Sequence, residues 1–508
     1  MEDLFAKDLE ALRARSLDRH LREITVAQGP EVEIGARRFI NFSSNDYLGL
    51  QTILDYARPR LRRSTIWRRR RRLRLISGTQ SPHLRLEGAL AKWKGTEAAL
   101  CFSSGYAAAL GTIPALVTKN DVVLLDKLCH ASLIDGARLS GAILRVFPHN
   151  HLAKLASHLE WARREHPAKR VLVITESVFS MDGDHAPLRG LVKLKKRFGA
   201  LLMLDEAHAI GVIGPNGRGL AAEENVSEEV DVQMGTLSKA LGASGGYICG
   251  ARTLIEWLIN RARSFIYSTA PPPAIAAASL AAVDFLASPE GEERRLLLWE
   301  RIRLMQGLLP RAGLNEEQSG ARSAIFPWIV GDEQAALNLA AALQGEGFLV
   351  PAIRYPTVAK GAARLRITVT AAHKASQIEA LCGTIKRQAV FSENFESRQR
   401  IAQDRFQFSV VVSGQSLRSV INAVFKAKCS ANSAQSGSVG FTQDHFPCRF
   451  RIRHQMAEDD FCRDRFLFHF PAIVIGDHRH CSECDLRFAA SFASVDWSSR
   501  SRRNRCDD

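Results

Sequence analysis

Five short segments between residues 121 and 250 constrain this 508-residue chain more than any other feature of it. "DVVLLD" (121–126), "RVLVITESVF" (170–179), "ALLMLDEAHA" (200–209), "VDVQMGTL" (230–237) and "GGYICG" (245–250) are short, largely apolar runs. Stretches of helical pattern, such as "HASLIDGARLS" and "LRGLVKLKKRFG", lie between them. A strand that is apolar on both faces must be covered on both, and helices between successive strands provide the cover. This alternation predicts an α/β fold built on a mostly parallel sheet.

The flanking segments extend the scheme. Residues 84–95 and 103–117 read as helices, the second opening after "FSSG". Residues 1–24 read as an amphipathic helix through Leu4, Leu9, Leu12, Leu17 and Leu21. "APPPAIAAASLAAVDFL" begins a helix after a proline stop, and residues 290–390 read as a smaller α/β unit with strands near "AIFPWIVG" and "RLRITVT". The expected domains are an N-terminal helix and arm (1–44), a large domain (45–285), a small C-terminal domain (286–390) and a tail (391–508) whose periodicity fades.

Composition excludes some classes. No apolar run reaches the roughly 18 residues of a membrane helix, and the best candidate, Ala274 to Ala287, is broken by Asp284. The N-terminus lacks a signal-peptide pattern, so a cytoplasmic location is expected. Four cysteines precede residue 391 without motif spacing, which suits free thiols in a reducing compartment. "HRHCSEC" in the tail has two histidines beside a Cys-x-x-Cys, but its ligands are crowded and no second spaced pair follows; no metal is expected. The net charge of +16 is concentrated in one place: Arg58 to Arg74 holds ten arginines and no acid.

Chemistry points to two strand ends and one helix start. "MGTLSKALGASGG" sets Lys239 just beyond a strand, among hydroxyls and glycines. "DEAHA" puts Asp205 and His208 beyond another, and "FSSGYAA" puts Ser104, Gly105 and Tyr106 where a helix begins. Backbone N–H groups at a helix start form a phosphate site, and glycine allows close approach. Ligands of open parallel sheets bind at the carboxyl ends of the strands, where Asp205, Lys239 and Ser180 would converge. A lysine, a buried aspartate and a phosphate cradle on one rim are the parts needed to hold pyridoxal phosphate.

From about residue 1 to 390 the chain resembles the α-oxoamine synthases, pyridoxal-phosphate enzymes of fold type I. The resemblance rests on "INFSSNDYLGL", "ISGTQSPHLRLEGALAKWKGTEAALCFSSGYAA", "LCHASLIDGARLS", "TESVFSMDGDHAPL", "DEAHAIGVIGPNGRG", "GTLSKALGASGGYICG" and "PTVAKGAARLRIT". It implies that Lys239 holds the cofactor covalently and moves the Cα proton. It implies that Asp205 pairs with the pyridine nitrogen, that His208 bonds the ring's 3-oxygen and that His130 stacks on the ring. Gly105, Tyr106 and Thr236 would bind phosphate, and Ser180 would make a further cofactor contact. Arg366 would clamp the amino-acid carboxylate, with Arg22, Asn45 and Thr357 on the substrate side. The branch resembled most joins L-alanine to a pimeloyl thioester, carried on coenzyme A or a carrier protein, in biotin biosynthesis. A homodimer is implied as well.

Two alternatives stay open. Sister branches use acetyl, succinyl or long-chain acyl thioesters. "FSMDGDHAPL" and "DEAHAIG" argue against the acetyl branch, while "PTVAKGAARLRIT" fits the pimeloyl branch and approaches the succinyl one. A basic protein that binds nucleic acid or anionic lipid through Arg58 to Arg74 is the other. Clustered arginines do bind phosphates non-specifically, but the run has no interleaved aromatic apart from Trp67 and no nucleic-acid motif accompanies it.

The arginine run stands where the family carries a glycine-rich loop of the type G-x-G-x-x-x-R-x-x-S-G, with the spacing from Leu50 to Ile76 close to that of the family. In a GC-rich gene, GGC glycine codons read one register over become CGG, arginine. The run therefore reads as a compensated frameshift over roughly Gln51 to Arg74, an aberrant segment expected to weaken cofactor binding. The tail reads either as read-through past a displaced stop or as an appended module. Translating the gene in its other two frames tests the frameshift: one frame is expected to yield a glycine-rich loop across Gln51 to Arg74, and its absence from both contradicts the idea.

Overall fold

The computed structural model describes residues 2–25, 29–53, 73–312 and 322–388, together with two dipeptide strands in the tail. The chain divides into two units, Met1–Phe391 and Ser392–Asp508. In the second, Val411–Val412 pairs antiparallel with Phe466–Leu467. "HRHCSEC" and the arginines from Arg58 to Arg72 lie outside the described residues.

In the first unit, strands β1 (Glu31–Ile34) and β2 (Arg37–Asn41) form an antiparallel pair. Seven strands then make the main sheet: β3 (Ala98–Phe102), β4 (Val122–Asp126), β5 (Ile143–Phe147), β6 (Val171–Glu176), β7 (Leu201–Asp205), β8 (Val232–Thr236) and β9 (Gly246–Gly250). Their order is β3-β9-β8-β7-β6-β4-β5, with only β9 antiparallel to its neighbours. The C-terminal part adds β10 (Ile325–Gly331), β11 (Phe348–Leu349), β12 (Ala352–Ile353) and β13 (Ala363–Thr368). β10, β13 and β12 form an antiparallel sheet, whereas β11 pairs in parallel with β2. The N-terminal arm is thereby hydrogen-bonded to the C-terminal part.

The apolar runs do what their pattern requires. Alternate residues of each central strand enter opposite layers. Val122, Leu124, Val171, Val173, Leu202 and Leu204 face one core, which is completed by helices Leu152–Glu165, Leu188–Phe198 and Pro289–Leu308. Val123, Leu125, Leu172, Ile174 and Met203 face the other, under helices Gly105–Leu116, Ala131–Leu139 and Arg252–Arg261. Each central strand then changes character at its carboxyl end. β4 closes on Asp126, β6 on Glu176, β7 on Asp205 and β8 on Thr236, all buried. Glu176 is in register with Asp205, so the polar ends form one continuous rim.

The expectations met some differences. The first helix stops at Ala14 rather than near residue 24. Ser16 takes a left-handed φ of 54°, and Leu21, expected on the apolar face, is fully exposed. The short strands β1, β2, β11 and β12 went unread, as did two strands of the main sheet. β3 begins with two alanines and pairs only with antiparallel β9, and β5 is a half-buried edge strand carrying Arg145. Arg74, the last residue of the arginine run, is integrated in the fold. Its guanidinium makes a bidentate pair with Glu87 at 2.6 and 2.8 Å and lies 5.0 Å from the Phe265 ring centroid. Glu87 also accepts from the Cys101 amide at 2.8 Å, so this arginine ties the run's end to β3.

A second buried ion pair braces the rim from behind. Lys94 Nζ lies 2.5 Å from Glu206 Oε2, with both side chains out of water. Glu206 also accepts from the Ala221 amide at 3.0 Å. The residue after Asp205 is thus fixed to helix Ser81–Lys94 and to helix Leu220–Glu223.

Candidate active site

The rim at the ends of β6, β7 and β8 collects the chemistry. Lys239 follows β8 by three residues, and its Nζ lies 2.8 Å from His208 Nε2. His208 Nδ1 is in turn 2.5 Å from the Tyr47 hydroxyl, which lies 3.3 Å from Asn45 Oδ1. Donors and acceptors fit one assignment of this chain: Lys239 donates to Nε2, Nδ1–H donates to Tyr47, and Tyr47 donates to Asn45. Burial, with the charges of Lys239 and Arg366 behind it, holds His208 well below the usual histidine range, so its ring is neutral.

Burial also acts on the acids and the amine. Desolvation brings Lys239 down to about 8 although Asp205 and Glu176 oppose it. It raises Glu176 to about 8, helped by the neighbouring Asp205, and raises Asp205 against the pull of Lys239. Asp205 Oδ1 accepts from the Ala207 amide at 2.9 Å. His130 caps helix Ala131–Leu139, its Nδ1 accepting from the Ser132 amide at 3.2 Å, and its own amide donates to Glu176 Oε1 at 2.5 Å. Burial lowers His130 while Asp205 pulls it upward.

Two buried polar atoms in this region have capacity to spare. Thr236 Oγ1 and Arg366 Nη2 lack a hydrogen-bond partner, although the Arg366 guanidinium also interacts with the buried Tyr47 hydroxyl. Unsatisfied buried donors are costly unless a ligand completes them. Thr236 stands beside Gly105, at the N-terminus of helix Gly105–Leu116; a Cβ on Gly105 would lie 2.5 Å from Thr236 Cγ2. Ser104 caps the helix by accepting from the Ala107 amide at 3.0 Å. The Gly105 and Tyr106 amides have no partner within the helix. A glycine cradle, a helix N-terminus and an unused hydroxyl suit a phosphate. Arg366, in β13, donates from Nε to the Ser180 carbonyl at 2.6 Å and from Nη1 to Thr368 Oγ1 at 2.9 Å. Its free Nη2 suits a carboxylate.

The comparisons with known proteins now bear on this geometry. The family described as aminotransferase class I and II matches residues 37–385. An 8-amino-7-oxononanoate synthase of Anaeromyxobacter dehalogenans (strain 2CP-1) is 47% identical over 383 residues, covering 74% of this chain and 93% of its own length. One from Geobacter sulfurreducens is 45% identical over 389 residues, covering 75% and 97%. The chain belongs to the α-oxoamine synthase family. Among solved structures, a serine palmitoyltransferase of Sphingomonas wittichii has a TM-score of 0.69 at 31% identity, covering 76% of this chain and 96% of that one. An 8-amino-7-oxononanoate synthase of Francisella tularensis has a TM-score of 0.58 at 28% identity, covering 70% and 99%. Within the family, the chain is a pyridoxal-phosphate-dependent acyltransferase, and the unused Thr236 hydroxyl at the start of helix Gly105–Leu116 fits that cofactor's phosphate.

Not every expected site residue of this α-oxoamine synthase joins the rim. Lys239, His208, Asp205, His130 and Asn45 are linked directly or through shared partners, and Ser180 is held by Arg366. Tyr106 is half exposed and donates its hydroxyl to Asp135 at 2.5 Å, which leaves its backbone rather than its ring toward the cradle. Arg22 is exposed and bonds Gln344 at 3.3 Å, and exposed Thr357 accepts from Arg19 at 3.4 Å; neither touches the rim residues. Glu176 and Tyr47 were missed. The only sequence signal for them was position, Glu176 ending an apolar strand and Tyr47 inside "SNDYLGL".

The depressed Lys239 sets a pH test. Because burial brings its folded value down from 10.5 to about 8, the neutral amine is present well below the ordinary lysine range. Imine capture of pyridoxal phosphate by the cofactor-free protein is expected to rise through a midpoint near pH 8. A midpoint near 10.5 contradicts the buried site.

Proposed function

We propose that the chain condenses L-alanine with a pimeloyl thioester, on coenzyme A or a carrier protein, to give 8-amino-7-oxononanoate, carbon dioxide and free thiol. The observation that carries this reading is Arg366: a buried guanidinium, fixed on two sides, with one N–H pair unfilled beside the Lys239 rim. The naming of the curated relatives as 8-amino-7-oxononanoate synthases supports the acyl donor. The likeness to a serine palmitoyltransferase keeps a longer acyl chain as the competing reading.

The residues divide the work. Arg366 binds the amino-acid carboxylate, with Asn45, Arg22 and Thr357 on the substrate side. Gly105, Tyr106 and Thr236 hold the phosphate, and Ser180 adds a contact nearby. Asp205 would pair with the ring nitrogen, whose positive charge would offset what burial costs its carboxylate. His130 would contact the ring. His208, neutral and backed by Tyr47, orients the amine of Lys239 and would bond the ring oxygen. Pyridoxal phosphate, when bound, supplies the electron sink for charge developing at Cα. Lys239 removes the Cα proton, and its low pKa leaves a base available near neutral pH. The Cα–acyl bond then forms as the C–S bond breaks, and the carboxylate released by Arg366 leaves as carbon dioxide, its place on Cα taken by a proton from Lys239.

We further propose that the protein acts as a cytoplasmic homodimer, with residues 45–285 and 286–390 as its large and small domains and 391–508 as an added segment outside the catalytic unit. Among the described residues, no helix is long and apolar enough to cross a membrane.

Arg366→Ala is expected to raise the KM for L-alanine by a factor that corresponds to about 2–5 kcal/mol, the usual loss for a desolvated charge pair, with cofactor retention little changed. Assays with acetyl, succinyl, pimeloyl and palmitoyl thioesters, each with alanine, glycine and serine, check the substrates. Highest kcat/KM for alanine with the pimeloyl thioester is expected; preference for serine with palmitoyl thioester contradicts the reading.

A further inference from the structure

A second polar cluster lies at the β4 end of the rim, and the reaction above makes no use of it. His149 follows β5 by two residues. Its Nδ1 is 3.1 Å from Asp126 Oδ1 and its Nε2 is 2.7 Å from Asp184 Oδ2. An imidazole with a carboxylate on each nitrogen donates from both, which requires the cation. The two carboxylates accordingly lift it to about 10 against the opposing effect of burial. Asp126 is fully buried and fixed by the amides of Leu128 and Asn150, at 2.9 and 2.8 Å. The Asn150 side chain donates to Asp184 as well, at 2.9 Å.

Asp184 closes a tight turn that begins at Phe179. The Gly183 amide donates to the Phe179 carbonyl at 2.8 Å, and the Phe179 amide to the Asp184 carbonyl at 3.1 Å. Gly183 has a φ of +73°, and a Cβ there would lie 2.5 Å from the Ile325 carbonyl, so the turn sits tight against β10. The His149 ring meets Phe179 edge-on, with centroids 4.3 Å apart. The turn is held from the other side by Arg364, whose guanidinium is 2.6 Å from Asp182. Between these two holds lies Ser180, whose carbonyl accepts from Arg366.

We propose that His149 is a positioning residue for Arg366: by bridging Asp126 and Asp184 it pins the Phe179–Asp184 turn, and the Ser180 carbonyl on that turn aims the guanidinium at the amino-acid carboxylate. The proposal rests on the reading of Arg366 given above. Without His149, Asp184 loses its charged partner and keeps the Asn150 amide alone on a side chain that is already 42% exposed, while Arg364 and Ser323 hold the far side of the turn. Arg366 then keeps its charge but loses its fixed aim.

The test uses the full-length protein and the variants His149→Phe, which keeps the ring, and His149→Gln, which keeps one donor. Two readouts are taken: hydrogen exchange of the Phe179 and Gly183 amides, and titration of the pyridoxal-phosphate-loaded protein with L-alanine. His149→Phe is expected to speed exchange at both amides about tenfold or more while Val173 and Leu204 stay protected. It is expected to weaken alanine binding by a similar factor, about tenfold, without changing pyridoxal-phosphate affinity. His149→Gln is expected to recover part of both effects. Unchanged exchange in the turn overturns the proposal, as does faster exchange with unchanged alanine affinity. If the unmodified chain binds pyridoxal phosphate but no alanine, the reading of Arg366 fails and the proposal with it; that outcome is seen before any substitution is made.

Discussion

Two buried carboxylates, Glu176 and Asp205, stand in register on adjacent strand ends, and the charge of the partly buried Lys239 amine offsets theirs. Like charges in such a place raise each other's pKa, and burial raises both further. A lysine beside them is pulled down by desolvation and up by their charge, and it settles near 8. None of the three would have these properties in water. The sheet produces them: the central strands are largely apolar up to their carboxyl ends, so the buried acids emerge together on one rim. Behind them, the Lys94–Glu206 pair fixes the turn after Asp205 from within the core. Breaking such a pair costs more than the pair itself contributes, because one charge is then left buried alone.

What could be read from the sequence follows from how much each residue type says on its own. "GTLSK" and "DEAHA" put Lys239, Asp205 and His208 at strand ends, because an apolar strand that stops at an acid or a lysine announces a rim. The five apolar runs were visible for the same reason. β5 was not, since an edge strand with Arg145 in it has no continuous apolar pattern. Glu176 was hidden inside a run taken as one strand, "RVLVITESVF", whose last turn of chain is in fact the polar rim and the start of the Phe179–Asp184 turn. Tyr47 and His149 depend on partners more than 20 residues away in sequence, Tyr47 on His208 and His149 on Asp126 and Asp184. No local pattern encodes such contacts. Arg22 and Thr357 show the reverse case: the motif match named them, yet in this conformation each bonds a neighbour at the surface.

The arginine run divides at its end. Arg74 belongs to the fold, paired with Glu87 and stacked near Phe265, and it occupies the arginine position of the R-x-x-S-G pattern that the family carries. Composition counted it with its neighbours; its buried pair with Glu87 makes it part of the fold. A charge count measures residues, whereas a buried bidentate pair measures a site, and the second is the better guide to where the family's chain resumes.

The central claim is that Lys239 is the amine that holds the cofactor. Borohydride reduction of the protein at saturating pyridoxal phosphate, followed by peptide mapping, tests it most directly. One pyridoxyl adduct is expected, on the peptide containing Lys239, and none in Lys239→Ala. A stable adduct on any other lysine of the unmodified chain would contradict it.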